Sequence, residues 1–431
     1  MKIIHTADLH LGQIIYQNYD RVDEHEHFFA QLSTLCGRER PDALVVSGDI
    51  FDIQQPSAST RKAFTDHFVQ LHTDYPAMKI VIVAGNHDSA SRIQADRAVW
   101  ELGNACLVGI SPSPELLGQE GWEDEYIVRM DTGYIVALPY MTGERTAVIQ
   151  RILDRVAAEN TDGKPVVMTG HLAVTGMDPL GHGLEIGKIR TQGVESLGSG
   201  YDYLALGHIH KPQTIGHQED AMKDDVTYPS GVVRYSGSAL HVSCDEAYPH
   251  TISIVEIGKR GGDVRIRQER IDELRHFYEL PQKGAFTSQD EAVQAIKDFA
   301  REHERGYFRL RFDYKTALAA NFTSIVYDLL KDTGEEIRFN PKHIWVGAPG
   351  QSAEEKPKTA FQIADLQQMT DPMAFVEKTR DQYPGLDLEE VRKAFEEVKE
   401  EMALLREEEK KKAAKKKKQS EKEETPTDEN E

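Results

Sequence analysis

The sequence predicts an α/β fold of four layers, two β-sheets packed face to face with helices outside both, over about 270 residues. Strand and helix alternate through the first half: strand Lys2 to Thr6, helix Val22 to Cys36, strand Ala43 to Ser47, helix Ser57 to His72 and strand Lys79 to Ala84. That order implies a mostly parallel sheet whose functional loops gather at the carboxyl ends of its strands. After Cys106 the pattern changes to strand pairs, with Tyr126 to Met130 and Tyr134 to Leu138 joined by the turn Asp131-Thr132-Gly133. A helix from Thr146 to Ala158 leads to strands Pro165 to Thr169 and Tyr203 to Leu206, and further strands follow at Val232 to Ser236, Thr251 to Ile257 and Val264 to Gln268. This first domain is assigned to residues 1–275.

A second, α+β unit is expected over 281–348. It holds the helix Gln289 to Glu302, the alternating strand Tyr307 to Phe312, the helix Asn321 to Leu330 and the strand Glu336 to Trp345. Pro349 to Lys358, rich in Gly, Pro, Glu and Lys, reads as a linker. C-terminal helices follow over 360–409. Asp371-Pro372 opens one and Pro384-Gly385 closes it, and Asp387 with Glu390 caps the next. Leu388, Val391, Phe395, Val398, Met402 and Leu405 are spaced three, four, three, four, three, as in a coiled-coil seam. An amphipathic helix packed on its own protein would show the same spacing, but little apolar sequence remains to cover the stripe, which favours a partner helix. From 410 to 431 lysine and acidic runs give way to Ser, Thr, Glu and Asn, the composition of a disordered tail.

The chain has 431 residues, 39% hydrophobic and 29% charged, with a formal charge of −21. Bulk acidity argues against a polyanionic partner. Bound divalent cations and a local basic patch can nonetheless reverse the potential at one site. There is no apolar run of membrane-spanning length, and the N-terminus meets a polar turn too soon for a signal peptide, so a cytoplasmic location is expected. Cys36, Cys106 and Cys244 form no Cys-x-x-Cys pair and read as small apolar packing residues.

Five strand-ending segments finish alike: Ala7-Asp8-Leu9-His10, Gly48-Asp49, Gly85-Asn86-His87-Asp88, Gly170-His171 and Gly207-His208-Ile209-His210. Alone, Asp8 reads as a turn or helix cap, Asn86 as a turn residue and His171 as a core histidine. Together, Asp8, His10, Asp49, Asn86, His171, His208 and His210 read as a metal site. Imidazoles mixed with carboxylate and amide oxygens, and no thiolate, suit manganese, iron or zinc. Seven ligands are too many for one tetrahedral ion and suit two, with a carboxylate bridging. Such a pair clamps the attacking and leaving oxygens of a phosphoryl group and activates water near neutral pH. The implied reaction is phosphoester hydrolysis. Glu24-His25-Glu26-His27 is set aside because residues two apart on a helix point away from each other. Gly183 to Lys188 resembles a phosphate loop but is one residue short and lacks the Ser or Thr after Lys.

With these motifs in this order, the sequence resembles the calcineurin-like metallophosphoesterases, and within them the double-strand-break repair nucleases. Ala7 to Gly12, Gly48 to Asp52, Leu206 to Pro212 and Tyr235-Ser236-Gly237-Ser238 carry the narrower likeness. The resemblance implies Asp8, His10, Asp49 and His210 on one ion and Asn86, His171 and His208 on the other, with Asp49 bridging. It implies that His87 contacts the scissile phosphate or protonates the leaving oxygen, with Asp88 a candidate to orient it. Some members carry His at the position of Asp52, so a second histidine contact to the phosphate is left open. It further implies two divalent ions, most simply Mn2+, and 3′-to-5′ exonuclease action on duplex DNA with endonuclease action on hairpins or single strands. Roles in end processing, repair, replication and recombination would follow. The partners implied are DNA, an ATPase with a long coiled coil in a two-plus-two heterotetramer, and a second copy joined through helices of the first domain. In the α+β unit, which is the family's DNA-capping domain, Arg309, Arg311, Lys315 and Lys342 are candidates for phosphate contacts.

Two other classes compete. A small-molecule phosphodiesterase or phosphatase would use the same dinuclear site, but the protein phosphatases of this superfamily carry Asp-Arg-Gly after the second motif and Glu at the position of Asp88, and neither is present. A metal-free scaffold would have lost ligands, and none is lost.

Overall fold

The computed structural model describes residues 1–347 apart from 17, 144, 180–190, 218–222, 244–245, 247 and 334–335. The phosphate-loop look-alike at Gly183 to Lys188, Cys244, the linker, the C-terminal helices and the tail lie outside the described residues.

In the first sheet the strands run, in spatial order, Asp225–Tyr228, Val264–Arg270, Thr251–Ile257, Lys2–Thr6, Ala43–Ser47, Lys79–Val83 and Ala105–Val108. The last four are mutually parallel and the first three antiparallel. The second sheet is ordered Gln213–Thr214, Val232–Tyr235, Tyr203–Gly207, Val166–His171, Gly133–Ala137 and Ile127–Met130. Its four central strands are parallel and its two edges antiparallel.

Side chains alternate across a strand, so each apolar run serves two cores. Ile3, Val45 and Val81 face the second sheet and pack with Val136, Val167 and Leu204. Ile4, Leu44, Val46, Ile80 and Ile82 face outward, beneath the helices Val22–Glu39 and Ala58–Asp74 through Phe28, Leu32, Phe64, Phe68 and Leu71. The Ser57 side chain caps the second of these helices by accepting from the Thr60 N–H. Such a cap contributes about 0.5–2 kcal/mol. On the far side, Thr146–Glu159 lays Val148, Ile149, Ile152, Leu153 and Val156 on the second sheet. The four expected layers are present. The helix Ala90–Glu101 was not foreseen, because it buries only Ile93 and has no apolar stripe. The strand Ala105–Val108 behind it was missed as well.

Strands Phe277–Leu280, Gly306–Asp313 and Ile337–Val346 form a separate three-stranded sheet with helices Gln289–Glu302 and Phe322–Leu330 and a core of their own. Both strand pairs are parallel, so each helix is a crossover, a point the expected α+β pattern left open. Buried polar contacts fasten this unit to the first domain. The Tyr307 hydroxyl donates to Glu24 Oε1 at 2.8 Å, Arg338 donates to the Asp20 carbonyl at 2.7 Å, and Arg275 pairs with both Asp23 and Glu336. Glu24 is thus committed to joining the two parts. His25 is held between the backbone carbonyls of Arg21 and Leu9, and neither residue takes part in a metal site.

The two sheets approach most closely at the carboxyl ends of the parallel strands. A Cβ on Gly207 would stand 1.9 Å from the Ser47 carbonyl, and one on Gly85 2.1 Å from Asp49 Oδ1. Gly207→Ala should therefore lower unfolding free energy by about 1–3 kcal/mol or more. Gly118→Ala, where a Cβ meets nothing within 4 Å, should be near neutral. Urea titrations of both variants check this.

Two buried histidines make the fold sensitive to acid. Burial, aided by Arg234, lowers His5 to about 3, and burial, aided by Arg21, lowers His25 to about 4. Their unfolded forms take up protons near pH 6.5 while the folded forms do not, so stability present above about pH 6.5 falls as pH drops towards 4. The thermal midpoint should fall across that window, and His25→Gln should reduce the slope.

Candidate metal centre

The residues singled out from the sequence come from both sheets and meet at one end of the sandwich. Asp8 and His10 follow strand Lys2–Thr6, Asp49 follows Ala43–Ser47, and Asn86 and His87 follow Lys79–Val83. From the other sheet come His171, which ends Val166–His171, and His208 and His210, which follow Tyr203–Gly207. The backbone turns sharply to deliver them. Asp8, His10, Asp49 and His208 all have positive φ, at 52°, 46°, 48° and 92°. Left-handed backbone at a residue with a side chain costs of order 1–3 kcal/mol, and its concentration here marks a site held by its surroundings.

Two groups of donors result. In one, ligand atoms of Asp8, His10 and His210 lie within 4.8 Å of one another; in the other, those of Asp49, His171 and His208 do. Asn86 Oδ1 lies 2.9 Å from both His171 Nε2 and His208 Nδ1. Asp49 Oδ2 stands between the groups, 3.3 Å from His171 Nε2 and 3.9 Å from His10 Nε2. All seven expected ligands are therefore brought together.

Their environment is that of a cation site. Asp8 and Asp49 are almost completely buried, and isolated buried carboxylates are strongly disfavoured unless paired or metal-bound. Burial raises the Asp8 carboxyl, with His171 and His210 only partly offsetting it. Burial works the same way on Asp49, but His171, His10 and His87 outweigh it and hold that carboxyl far below the usual range. Burial would lower His171, yet the Asp49 charge lifts it to about 9. Both ring nitrogens of His10 are buried without a hydrogen bond. An orphaned imidazole among two buried carboxylates and further imidazoles fits a pair of divalent ions with mixed nitrogen and oxygen ligands.

Supporting contacts orient the donors. His171 Nδ1 donates to the Ser47 carbonyl at 2.8 Å, leaving Nε2 to face Asn86 and Asp49. The Asp8 carboxylate accepts from the His208 N–H at 2.9 Å. His210 Nδ1 lies 3.0 Å from Glu246 Oε1, and Glu246, pushed up to about 7 by burial, also accepts from the Val242 and Ser243 N–H groups. Asp52 Oδ1 lies 3.3 Å from His10 Nδ1. Sequence reasoning missed both carboxylate partners. Asp52 was at least inside a motif, whereas nothing in spacing or residue type marked Glu246.

His87 is exposed at the mouth of the site, its ring edge-on to His10 at 5.0 Å. Its Nδ1 donates to the Asp52 carbonyl at 2.7 Å, and its backbone N–H donates to Asp49 Oδ1 at 2.8 Å. Asp88 does not orient the His87 ring. It is buried, raised to about 6 by burial and the nearby Asp49 charge, and accepts from the N–H groups of Gly85, Ile50 and Phe51. It therefore ties the Asn86 loop to the Asp49 loop. Of the basic residues in the three-stranded unit, Arg309 and Arg311 both pair with Glu279, and Lys315 lies over the Tyr314 ring. No contact of the Lys342 side chain points to a role.

Comparison with known proteins agrees with this geometry. Residues 1–212 match the family model for calcineurin-like phosphoesterases. The SbcD subunit of nuclease SbcCD from Rhodobacter capsulatus is 28% identical over 286 residues, 60% of this chain and 66% of the relative. The Bacillus subtilis protein of that name is 27% identical over 271 residues, covering 59% and 66%. That of Escherichia coli K12 is 28% identical over 275 residues, covering 59% and 65%. The matched region thus spans just under two thirds of these relatives' length. The seven converging donors, the two-sheet sandwich and the family match together establish that residues 1–212 carry the calcineurin-like phosphoesterase fold, in a chain similar to the SbcD nuclease proteins.

Proposed function

We propose that this chain is a dinuclear-metal-dependent phosphodiester hydrolase acting on DNA. The observation that carries the reading is the convergence of seven nitrogen and oxygen donors in two groups about Asp49. Asp8, His10, Asp49 and His210 would hold one ion and Asn86, His171 and His208 the other, with Asp49 shared. Mn2+ is the ion proposed, its donor preference suiting imidazole with carboxylate and amide oxygens. When bound, the ions supply a low-pKa water and polarise the phosphoryl oxygens.

The chain's own groups do the rest. Since a carbonyl only accepts, His87 Nδ1 keeps its hydrogen on the Asp52 carbonyl, and Nε2 is the atom that exchanges a proton with the leaving oxygen. Asp52 and Glu246 hold the His10 and His210 rings, and Asp88 holds the two loops in register, so the donors are placed before substrate arrives.

The relatives' names support DNA as substrate and an SbcC-type ATPase as partner, in a two-plus-two assembly that processes DNA ends in repair, replication and recombination. The activities proposed are 3′-to-5′ exonuclease on duplex ends and endonuclease on hairpins or single strands. The 360–409 segment is proposed to dock on the partner's coiled coil and the 281–348 unit to cap DNA. A cytoplasmic, nucleoid-associated location accords with the absence, among the described residues, of any helix long and apolar enough to cross a membrane.

A self-association surface is proposed on the helices Ala58–Asp74 and Ala90–Glu101. Val69, Val99 and Leu102 are 49%, 72% and 89% exposed around a groove of about 340 Å³ that Trp100 lines. Val99→Asp with Leu102→Asp should convert a dimer to a monomer in light scattering after gel filtration; an unchanged mass would refute this surface.

The decisive assay supplies Mn2+ with end-labelled duplex DNA, hairpin DNA and a small phosphodiester. Asp49→Ala should abolish both metal loading and cleavage. His87→Gln should keep its metals and lose at least about 100-fold in rate, the scale of a general acid. Hydrolysis of the small ester with no attack on DNA would overturn the nuclease reading.

A further inference from the structure

Outside the dinuclear centre, a second set of metal-type donors lies where the first domain runs into the three-stranded unit. Ligand atoms of His241, His250 and Glu273 lie within 4.8 Å of one another. His241 Nδ1 is 3.3 Å from Glu273 Oε1, and the two imidazole centroids are 4.2 Å apart. His250 is fully buried. Its Nδ1 donates to the Ser238 carbonyl at 2.9 Å, which fixes the tautomer and turns the Nε2 lone pair into the cluster. That Nε2 has no hydrogen-bond partner, and the nearest carboxylate oxygen is Glu246 Oε2 at 3.4 Å. A buried lone pair aimed at a second imidazole and two carboxylates, with its far nitrogen held by a backbone carbonyl, is the arrangement of a metal-binding histidine. Access is provided by a pocket of about 500 Å³ that His241, Glu246 and Glu273 line.

We propose that His241, His250 and Glu273 bind a third divalent cation, with Glu246 beside it. Two imidazoles and a carboxylate with no thiolate suit a borderline ion such as zinc, with water completing a four-coordinate site. Its role is structural. Glu273 belongs to the link between strands Val264–Arg270 and Phe277–Leu280, and His241 and His250 flank the loop that carries Glu246 beneath His210. One ion there clips the link to the loop supporting the dinuclear centre. The binding itself does not depend on the hydrolase reading.

The test counts metal on the full chain. After equilibrium dialysis against Zn2+, bound zinc is measured for the wild type, His241→Gln/Glu273→Gln, Asp49→Asn/His208→Gln, and the four substitutions combined. The first pair should lose one equivalent whether or not the second pair is present, with the far-ultraviolet circular dichroism unchanged. In the Asp49→Asn/His208→Gln background, zinc should still raise the thermal midpoint, and the combined variant should lose that rise. Glu273→Gln alone, an isosteric change at the pocket wall, serves if the double variant fails to fold. An unchanged zinc count in a folded His241→Gln/Glu273→Gln or Glu273→Gln protein overturns the proposal. An unchanged count in Asp49→Asn/His208→Gln speaks against the dinuclear reading alone.

Discussion

Two carboxylates, Asp8 and Asp49, are buried side by side where two sheets converge, and much of the surrounding structure follows from keeping them there. Neither charge is tolerable in that interior without cationic or hydrogen-bonding partners. Histidines from the opposite sheet supply some of that compensation, and a pair of divalent ions would supply the rest. Glycine precedes Asp49, Asn86 and His208 because backbone must pass within contact distance of the opposite sheet, as at Gly85 and Gly207. The left-handed turns at four of the ligands are the geometric consequence of aiming short side chains back across the gap.

Rigidity around the donors comes from groups that touch no substrate. Asp88 binds three backbone N–H groups from two loops, and Ser47 serves both sheets, accepting from His171 through its carbonyl while its hydroxyl lies 2.8 Å from that of Thr169. Glu246 divides its two oxygens between His210 and His250, so the dinuclear centre and the cluster below it share one carboxylate. The three-stranded unit is held by buried polar contacts through Glu24, Tyr307, Arg275 and Arg338 rather than by an apolar seam alone. Buried polar contacts demand matched geometry, so this junction favours one seating of the unit over many.

Much of the fold was legible in the sequence. Strands such as Ala43–Ser47 are apolar on both faces and end in a liganding residue, and helices such as Gln289–Glu302 carry a clear stripe. Where that signal fades, so does the reading: the helix Ala90–Glu101 sits on the surface with a single buried residue and leaves no periodic trace. The seven metal-type donors were legible because each ends a strand, and strand ends on one edge of a parallel sheet are neighbours in space whatever their separation along the chain.

By itself, then, the sequence determined which strands form, where each stops, and the set of nitrogen and oxygen donors that their ends present. These are local properties, written in apolar runs and the residues that break them. Only the tertiary structure decided how the donors divide about Asp49, that Asp88 braces loops instead of the His87 ring, and that Glu246 and Asp52 stand behind two of the histidines. It also drew His241, His250 and Glu273 into one cluster. Those are relations between segments that only packing brings together, and a lone glutamate or histidine carries no periodicity from which its partner can be inferred.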